Sequence, residues 1–203
     1  MNLSDFVFDL FNYNRGVYVE AGANNGISQS NTYRLERERN WSGMLIEPSL
    51  ISLNKCIESR GKGNIFVNCC LVADNYGKKY IHGDFDGHLM ASVDGKRLKR
   101  GRDIKALAQT LMSVTTKYKF FSVDLLSLDV EDYEVQVLEG ADFNVFKPEY
   151  IIIEIHINHL GTVKGQLLKN YKFIGNITNY NIKDNPFWDQ AHDDYLFRRK
   201  LDE

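Results

Sequence analysis

The chain has 203 residues, 43% hydrophobic and 26% charged, with a formal net charge of −2. That size suits one α/β domain with a sizeable core, and the near-neutral balance sets up no global field to recruit nucleic acid or an anionic membrane. The three cysteines, Cys56, Cys69 and Cys70, are odd in number and make no CxxC pair, which argues against a disulfide framework or zinc site and for reduced thiols in the cytoplasm.

In chain order, Leu3, Phe6, Val7, Leu10 and Phe11 follow helical spacing, and Asp5 and Asp9 with no basic segment argue against a signal peptide. "GVYVEA" reads as a strand, "NTYRLERER" as a helix, and "GMLIEP" as a second strand closed by Pro48. The helix "SLISLNKCIES" stops near Gly61, and "NIFVNCCLV" is a third strand on which Cys69 and Cys70 should point to opposite faces. Residues 72–120 are less regular: "KKYIHGDFDGHLMASV" alternates weakly and fits a hairpin, while "DIKALAQTL" is left open as helix or not. "SVDLLSLDV" is the fourth strand, followed by the helix "EDYEVQVLEG", whose Gly140 suits a left-handed C-terminal position. "EYIIIEIH" is the fifth strand, "TVKGQLLKN" a helix, and "YKFIGNIT" and "DYLFRRK" a pair suited to an antiparallel edge. Strands alternating with helices, several apolar on both faces, imply a mostly parallel sheet covered on both sides. No stretch approaches membrane-spanning length, and no linker or repeat divides the chain, so residues 1–203 read as one domain.

In such a sheet, ligands bind outside the carboxyl ends of the strands. Glu20, Glu47, Asp129, and Glu154 with His156 end four of the five strands read there. Gly22 and Gly26 form G-x-x-x-G after the first strand, whereas the dinucleotide fingerprint needs a glycine where Asn24 stands. A carboxylate beside that turn opposes a pyrophosphate and suits an ammonium. Glu47, one βα unit later, can accept both hydroxyls of a ribose. A ligand with an ammonium and a ribose but no phosphate is S-adenosylmethionine.

The blocks "VEAGANNGISQSNTYRLE", "WSGMLIEPS", "LLSLDVEDYEVQVLEGADF" and "YIIIEIH" resemble the FkbM-type methyltransferases, members of the class I S-adenosylmethionine-dependent fold. The resemblance spans about Gly16 to His156 and departs from the family at Asp132, where glycine is usual. It implies a Rossmann-like α/β fold with a seven-stranded, mostly parallel sheet, ordered 3-2-1-4-5-7-6, its last strand antiparallel. It also implies that Glu20, Gly22, Ala23, Asn24 and Gly26 surround the methionine moiety, that Ser30 and Asn31 line the same pocket, and that Glu47 takes the ribose. Adenine would lie near Leu71 to Asp74, and Asp129 and Glu131 would face the transferred methyl and the acceptor. The implied activity is methyl transfer to a sugar hydroxyl, that of a 6-deoxyhexose of a glycan or glycoconjugate, with S-adenosylhomocysteine as product. The domain could also belong to a larger glycan-modifying protein.

Plainer readings stand beside these. Asp129 and Glu131 also suit a helix N-terminus, where acids favour the dipole and cap free amides. His156 is a candidate base, and His159 reads as structural. Nothing in the spacing demands a metal. The basic run "KRLKRGRDIK", residues 96–105, is a solvated face or a sign of an anionic acceptor. Phe187, Trp188 and His192 in "NPFWDQAHDDY" are either core or a surface that stacks on a sugar. The rival functions are RNA ribose 2′-O-methylation, disfavoured because the fifth strand ends without a lysine, and a non-catalytic cofactor-fold module.

Overall fold

The computed structural model describes residues 3–95, 98–178 and 189–201. The expectations for Lys96, Arg97, Phe187 and Trp188 therefore lie outside the described residues. The elements in order are α1 (Leu3–Leu10), β1 (Val17–Ala21), α2 (Tyr33–Arg39), β2 (Ser42–Ile46), α3 (Leu50–Ser59), β3 (Ile65–Val67), β4 (Cys70–Leu71) and β5 (Tyr80–Gly83). There follow β6 (Ile104–Gln109), α4 (Leu111–Tyr118), β7 (Ser122–Leu128), α5 (Glu134–Glu139), β8 (Lys147–His156), α6 (Leu160–Leu167), β9 (Tyr171–Asn176) and β10 (His192–Arg199).

The main sheet runs β3-β2-β1-β7-β8-β10-β9, which in its own strands is the expected 3-2-1-4-5-7-6. All neighbours are parallel except β10, which is antiparallel to both β8 and β9. The central strands lack polar alternation because both faces are buried. Val19, Met44, Leu126 and Ile151 face a core shared with α4, α5 and α6 through Leu111, Val137 and Val163. Tyr18, Leu45, Leu125 and Ile152 face the opposite core, closed by α1, α2 and α3 through Val7, Leu35 and Leu53. Among the described residues, no helix is long and apolar enough to cross a membrane.

The irregular middle forms a second sheet, β4-β6-β5. "KKYIHGDFDGHLMASV" is not a closed hairpin: β5 pairs with β6, and only the bridge Gly83–Val93 folds the segment onto itself. "DIKALAQTL" is strand through Gln109, and the Thr110 side chain then caps α4 by accepting from the Ser113 amide at 3.0 Å. "NIFVNCCLV" divides between the two sheets, and its cysteines do part: Cys69 packs in the main core and Cys70 in a small core with Ile81, Phe85 and Ala106. Gly140 is also corrected. Its φ is −90°, not left-handed, and a Cβ there would lie 2.2 Å from the Val72 carbonyl oxygen. Close backbone approach, not helix termination, requires that glycine.

Candidate functional site

The carboxyl ends of β1, β2 and β7 open into a cavity of about 750 Å³, counted with its mouth. Gly22 forms its floor: φ is +84°, and a Cβ would fall 1.7 Å from the Asp129 carbonyl oxygen. The amides of Gly22 and Ala23 both donate to the Ile46 carbonyl, at 3.0 and 3.1 Å, so the loop hangs on the end of β2. Gly26 serves a different contact, since a Cβ there would meet Cys56 Sγ at 2.7 Å on α3.

The residues expected to bind the cofactor fall into two layers. Gly22, Asn24, Glu47 and Asp129 line the cavity, whereas Glu20, Ala23, Gly26, Ser30 and Asn31 do not. Glu20 is turned to the rear, where its carboxylate accepts from Ser30 Oγ, the Asn31 amide at 2.9 Å and Thr32 Oγ1 at 2.5 Å. The expectation that Glu20 faces an ammonium is therefore replaced by a different role, shaping the loop from behind. The Asn31 side chain bonds Ser127 Oγ of β7 at 3.0 Å and works the same way.

Arg60, just past α3, organises that rear layer and carried no signal beyond its place at a helix end. Its guanidinium, buried, donates to the Gly26 carbonyl at 2.9 Å, to Thr32 Oγ1 at 2.9 Å and to Tyr18 Oη at 2.7 Å. It also pairs with Glu36 at 2.6 Å and stands 3.5 Å from Glu20. A buried arginine of this kind needs every donor satisfied, and the fork geometry meets that need.

On the cavity side, Glu47 accepts from the Asn24 amide at 2.9 Å and the Ser49 amide at 2.7 Å, one to each oxygen. Burial pushes its carboxyl up to about 7, while the two amide bonds pull the other way. Each oxygen keeps a lone pair, which a diol could use. Leu71 with Cys69 and Cys70 forms the neighbouring apolar wall; Phe85 and Leu89, from the segment between β5 and β6, close it from the far side. Asp84 pinches that segment by accepting from the Ser92 amide at 2.6 Å. Leu71 stands where the adenine was expected, without Val72, Ala73 or Asp74 in the lining, whereas Phe85 and Leu89 escaped the sequence reading because their segment has no regular period.

The opposite end is acidic. Asp129 and Glu131 line the cavity there, and Tyr133 packs against the small core of Cys70 and Phe85. Glu134, buried, accepts from the Val130 amide at 3.0 Å, so an acid of α5 itself bonds the amide ahead of the helix. Burial pushes Glu134 up to about 8, with Asp129 adding to the rise. Burial, with Asp129, Asp194 and Glu131 nearby, raises the pKa of Glu154. Glu131 and Asp132 adopt φ of +59° and +74°, costing of order 1–3 kcal/mol each. A glycine at 132 would adopt such a φ freely; here Asp132 adopts it and bonds His192 Nε2 at 2.8 Å. His156 sits at the same rim, its ring 4.9 Å from that of His192, but does not line the cavity. Among the described residues, no group of three or more His, Cys, Asp or Glu side chains is arranged to hold a metal ion. Within the basic run, Arg100 and Arg102 both pair with Asp86, at 2.9 and 3.1 Å. A second depression, around Ser122, Asp124 and Lys147, lies at the amino ends of the strands, away from this chemistry.

A sheet of this order with its cavity at the carboxyl ends of β1, β2 and β7 is the class I methyltransferase architecture. Solved structures bear this out at the level of fold. The ribosomal protein L11 methylase of Lactobacillus delbrueckii subsp. bulgaricus matches with a TM-score of 0.52 and 11% identity over 98% of this chain and 78% of that one. TrmK of M. capricolum, solved with S-adenosyl-homocysteine, matches with a TM-score of 0.56 and 10% identity over 98% and 71%. The fibrillarin pre-rRNA processing protein of Methanococcus jannaschii gives 0.53 and 11% over 94% and 69%. No curated protein matches the sequence. The model of the methyltransferase FkbM domain matches residues 20–198. The chain belongs to that family and is an S-adenosylmethionine-dependent methyltransferase.

Proposed function

We propose that this protein transfers a methyl group from S-adenosylmethionine to a sugar hydroxyl, with a 6-deoxyhexose of a glycan or glycoconjugate as acceptor. The observation that carries the reading is the mixed lining of one cavity: the buried carboxylate of Glu47 with the apolar Leu71, Cys69 and Phe85, and Asp129 with Glu131 from the loop after β7. The first group suits a ribose and a flat base. The second suits a neutral polyol, whose hydroxyls donate to carboxylates, and opposes a phosphate-bearing acceptor. The cofactor supplies an activated sulfonium methyl. The chain supplies position, through Gly22 and Asn24 against the cofactor and Asp129 and Glu131 against the acceptor, and a carboxylate to take the hydroxyl proton.

RNA ribose methylation is the second reading, favoured by the basic run and by a fold neighbour named for pre-rRNA processing. Two of the run's arginines are already spent on Asp86, which weakens it. Labelled S-adenosylmethionine offered to glycans and to RNA, with products read by mass spectrometry, separates the two; label in RNA alone would overturn the sugar reading. Binding without transfer to any acceptor on that panel would favour a non-catalytic module.

The ribose assignment predicts a pH dependence. Hydroxyls donating to Glu47 favour its ionised form, and the free carboxyl protonates near 7. Affinity for S-adenosylhomocysteine should hold steady above about pH 8 and weaken by up to ~10-fold per unit below 7. Glu47→Gln should flatten that profile in calorimetry, and a profile unaltered by the substitution would remove the assignment.

Methyl transfer needs no metal in this reading, because positioning and one carboxylate account for the chemistry. Activity should survive dialysis against EDTA. Loss of activity that Mg²⁺ or Mn²⁺ restores would make Asp129 and Glu131 metal ligands instead.

A further inference from the structure

Two consecutive residues other than glycine in the left-handed region are uncommon and persist only where the surroundings over-determine them. Glu131 and Asp132 are such a pair, directly after Asp129 and Val130 at the acceptor end of the cavity. Bonds on both sides hold the turn. On one side the Val130 amide donates to Glu134 at 3.0 Å; on the other Asp132 Oδ1 meets His192 Nε2 at 2.8 Å. His192 is itself fixed. It is 8% exposed, and it opens β10 opposite His156 of β8. Asp189 engages both its backbone amide, at 3.0 Å, and its Nδ1. Burial opposes the ionisation of Asp189, but the amides of Ala191 and His192 and the imidazole outweigh it and hold the carboxyl at about 2. The anchor thus stays charged throughout the neutral range. The bridge crosses the end of β8 and ties the loop after β7 to the antiparallel strand.

We propose that His192 is a positioning residue for methyl transfer, clamping the Glu131–Asp132 turn in its left-handed form and so fixing Asp129 and Glu131 against the acceptor. This rests on the acceptor-end reading above, and it concerns a residue that touches neither cofactor nor reacting atoms. The clamp has work to do here because residue 132 is not glycine. A glycine at 132 adopts positive φ without help, which removes one of the two strained positions.

The test compares His192→Ala in the natural chain and in an Asp132→Gly background. In the natural chain, kcat should fall about 10- to 100-fold, the cost of a misplacement of about 1 Å, with KM for S-adenosylmethionine within about threefold. In the Asp132→Gly background, the same substitution should change kcat by less than about twofold, because the contact is already gone and the strain at 132 is relieved. Hydrogen exchange of residues 130–134 is read in parallel and needs no acceptor. It should quicken several-fold on His192→Ala in the natural chain and stay unchanged in the glycine background. His192→Gln, which keeps a polar group in the buried site, guards against misfolding and should show the same background dependence. Equal losses in both backgrounds would make His192 a direct participant and overturn the proposal. So would exchange that His192→Ala leaves untouched, even if no acceptor is ever turned over.

Discussion

Gly22→Ala is expected to raise the Kd for S-adenosylhomocysteine at least tenfold and to lower the melting temperature by roughly 5–20 °C. The added Cβ would lie 1.7 Å from the Asp129 carbonyl oxygen, and the backbone φ is +84°. The clash is with main chain, so no rotamer change relieves it; β1 and β7 must part at the mouth of the cavity. Overpacking costs about 1–3 kcal/mol and the left-handed conformation about 1–2 kcal/mol. A domain of this size loses about 2–4 °C per kcal/mol. Gly26→Ala makes a useful contrast. Its Cβ would meet side-chain atoms, Cys56 Sγ at 2.7 Å and Arg60 Cγ at 2.8 Å, and these can shift, although Arg60 is heavily bonded. A smaller loss is expected there. Calorimetry and thermal melting read both variants, and a Gly22→Ala protein with normal affinity and normal melting would show that the floor of the cavity tolerates a side chain.

The main sheet was legible because its strands are apolar on both faces and end in polar residues, a pattern that parallel strands under two helical layers impose. The second sheet was not. β4 has two residues, Cys70–Leu71, and β5 exposes Tyr80 and His82, so neither offers a period long enough to read. "NIFVNCCLV" looks continuous, yet the chain leaves one sheet and joins the other between Val67 and Cys70, a break that no glycine or proline marks. Within the site, position along the chain put Glu47 and Asp129 just past the ends of β2 and β7, and both residues line the cavity. It misled for Glu20, which lies inside β1, where alternation decides the face. Partners for that buried carboxylate came from residues 30–32 and from Arg60, separated from it by an entire βαβ unit. Contacts at that separation in sequence have no local signature.

Asp129→Asn is expected to lower kcat by about 10²-fold or more, with affinity for S-adenosylmethionine changed by less than about tenfold. Asp129 follows the central strand β7, and its amide donates to the Ala21 carbonyl at 3.1 Å, which fixes the backbone beside Gly22. The side chain therefore stands where the floor of the cofactor loop meets the acceptor end. Asparagine keeps the shape and removes the negative charge, so the substitution tests proton acceptance rather than packing. Other acids nearby are poorer candidates. Glu134 is bonded to the Val130 amide, and Glu154 is buried beside Asp129, Asp194 and Glu131, which raises its pKa and disfavours its ionised form. Glu131 lines the cavity and can share the work, in which case Glu131→Gln should cost less than Asp129→Asn. His156 accepts from the Asn158 amide at 3.2 Å and lies outside the cavity lining, so His156→Ala should change kcat by less than about tenfold. The measurement is steady-state turnover of all three variants on the acceptor that the glycan screen identifies. Near-normal turnover in Asp129→Asn beside a large loss in His156→Ala would transfer the base to the histidine and require the acceptor to approach from the β8–β10 side of the rim.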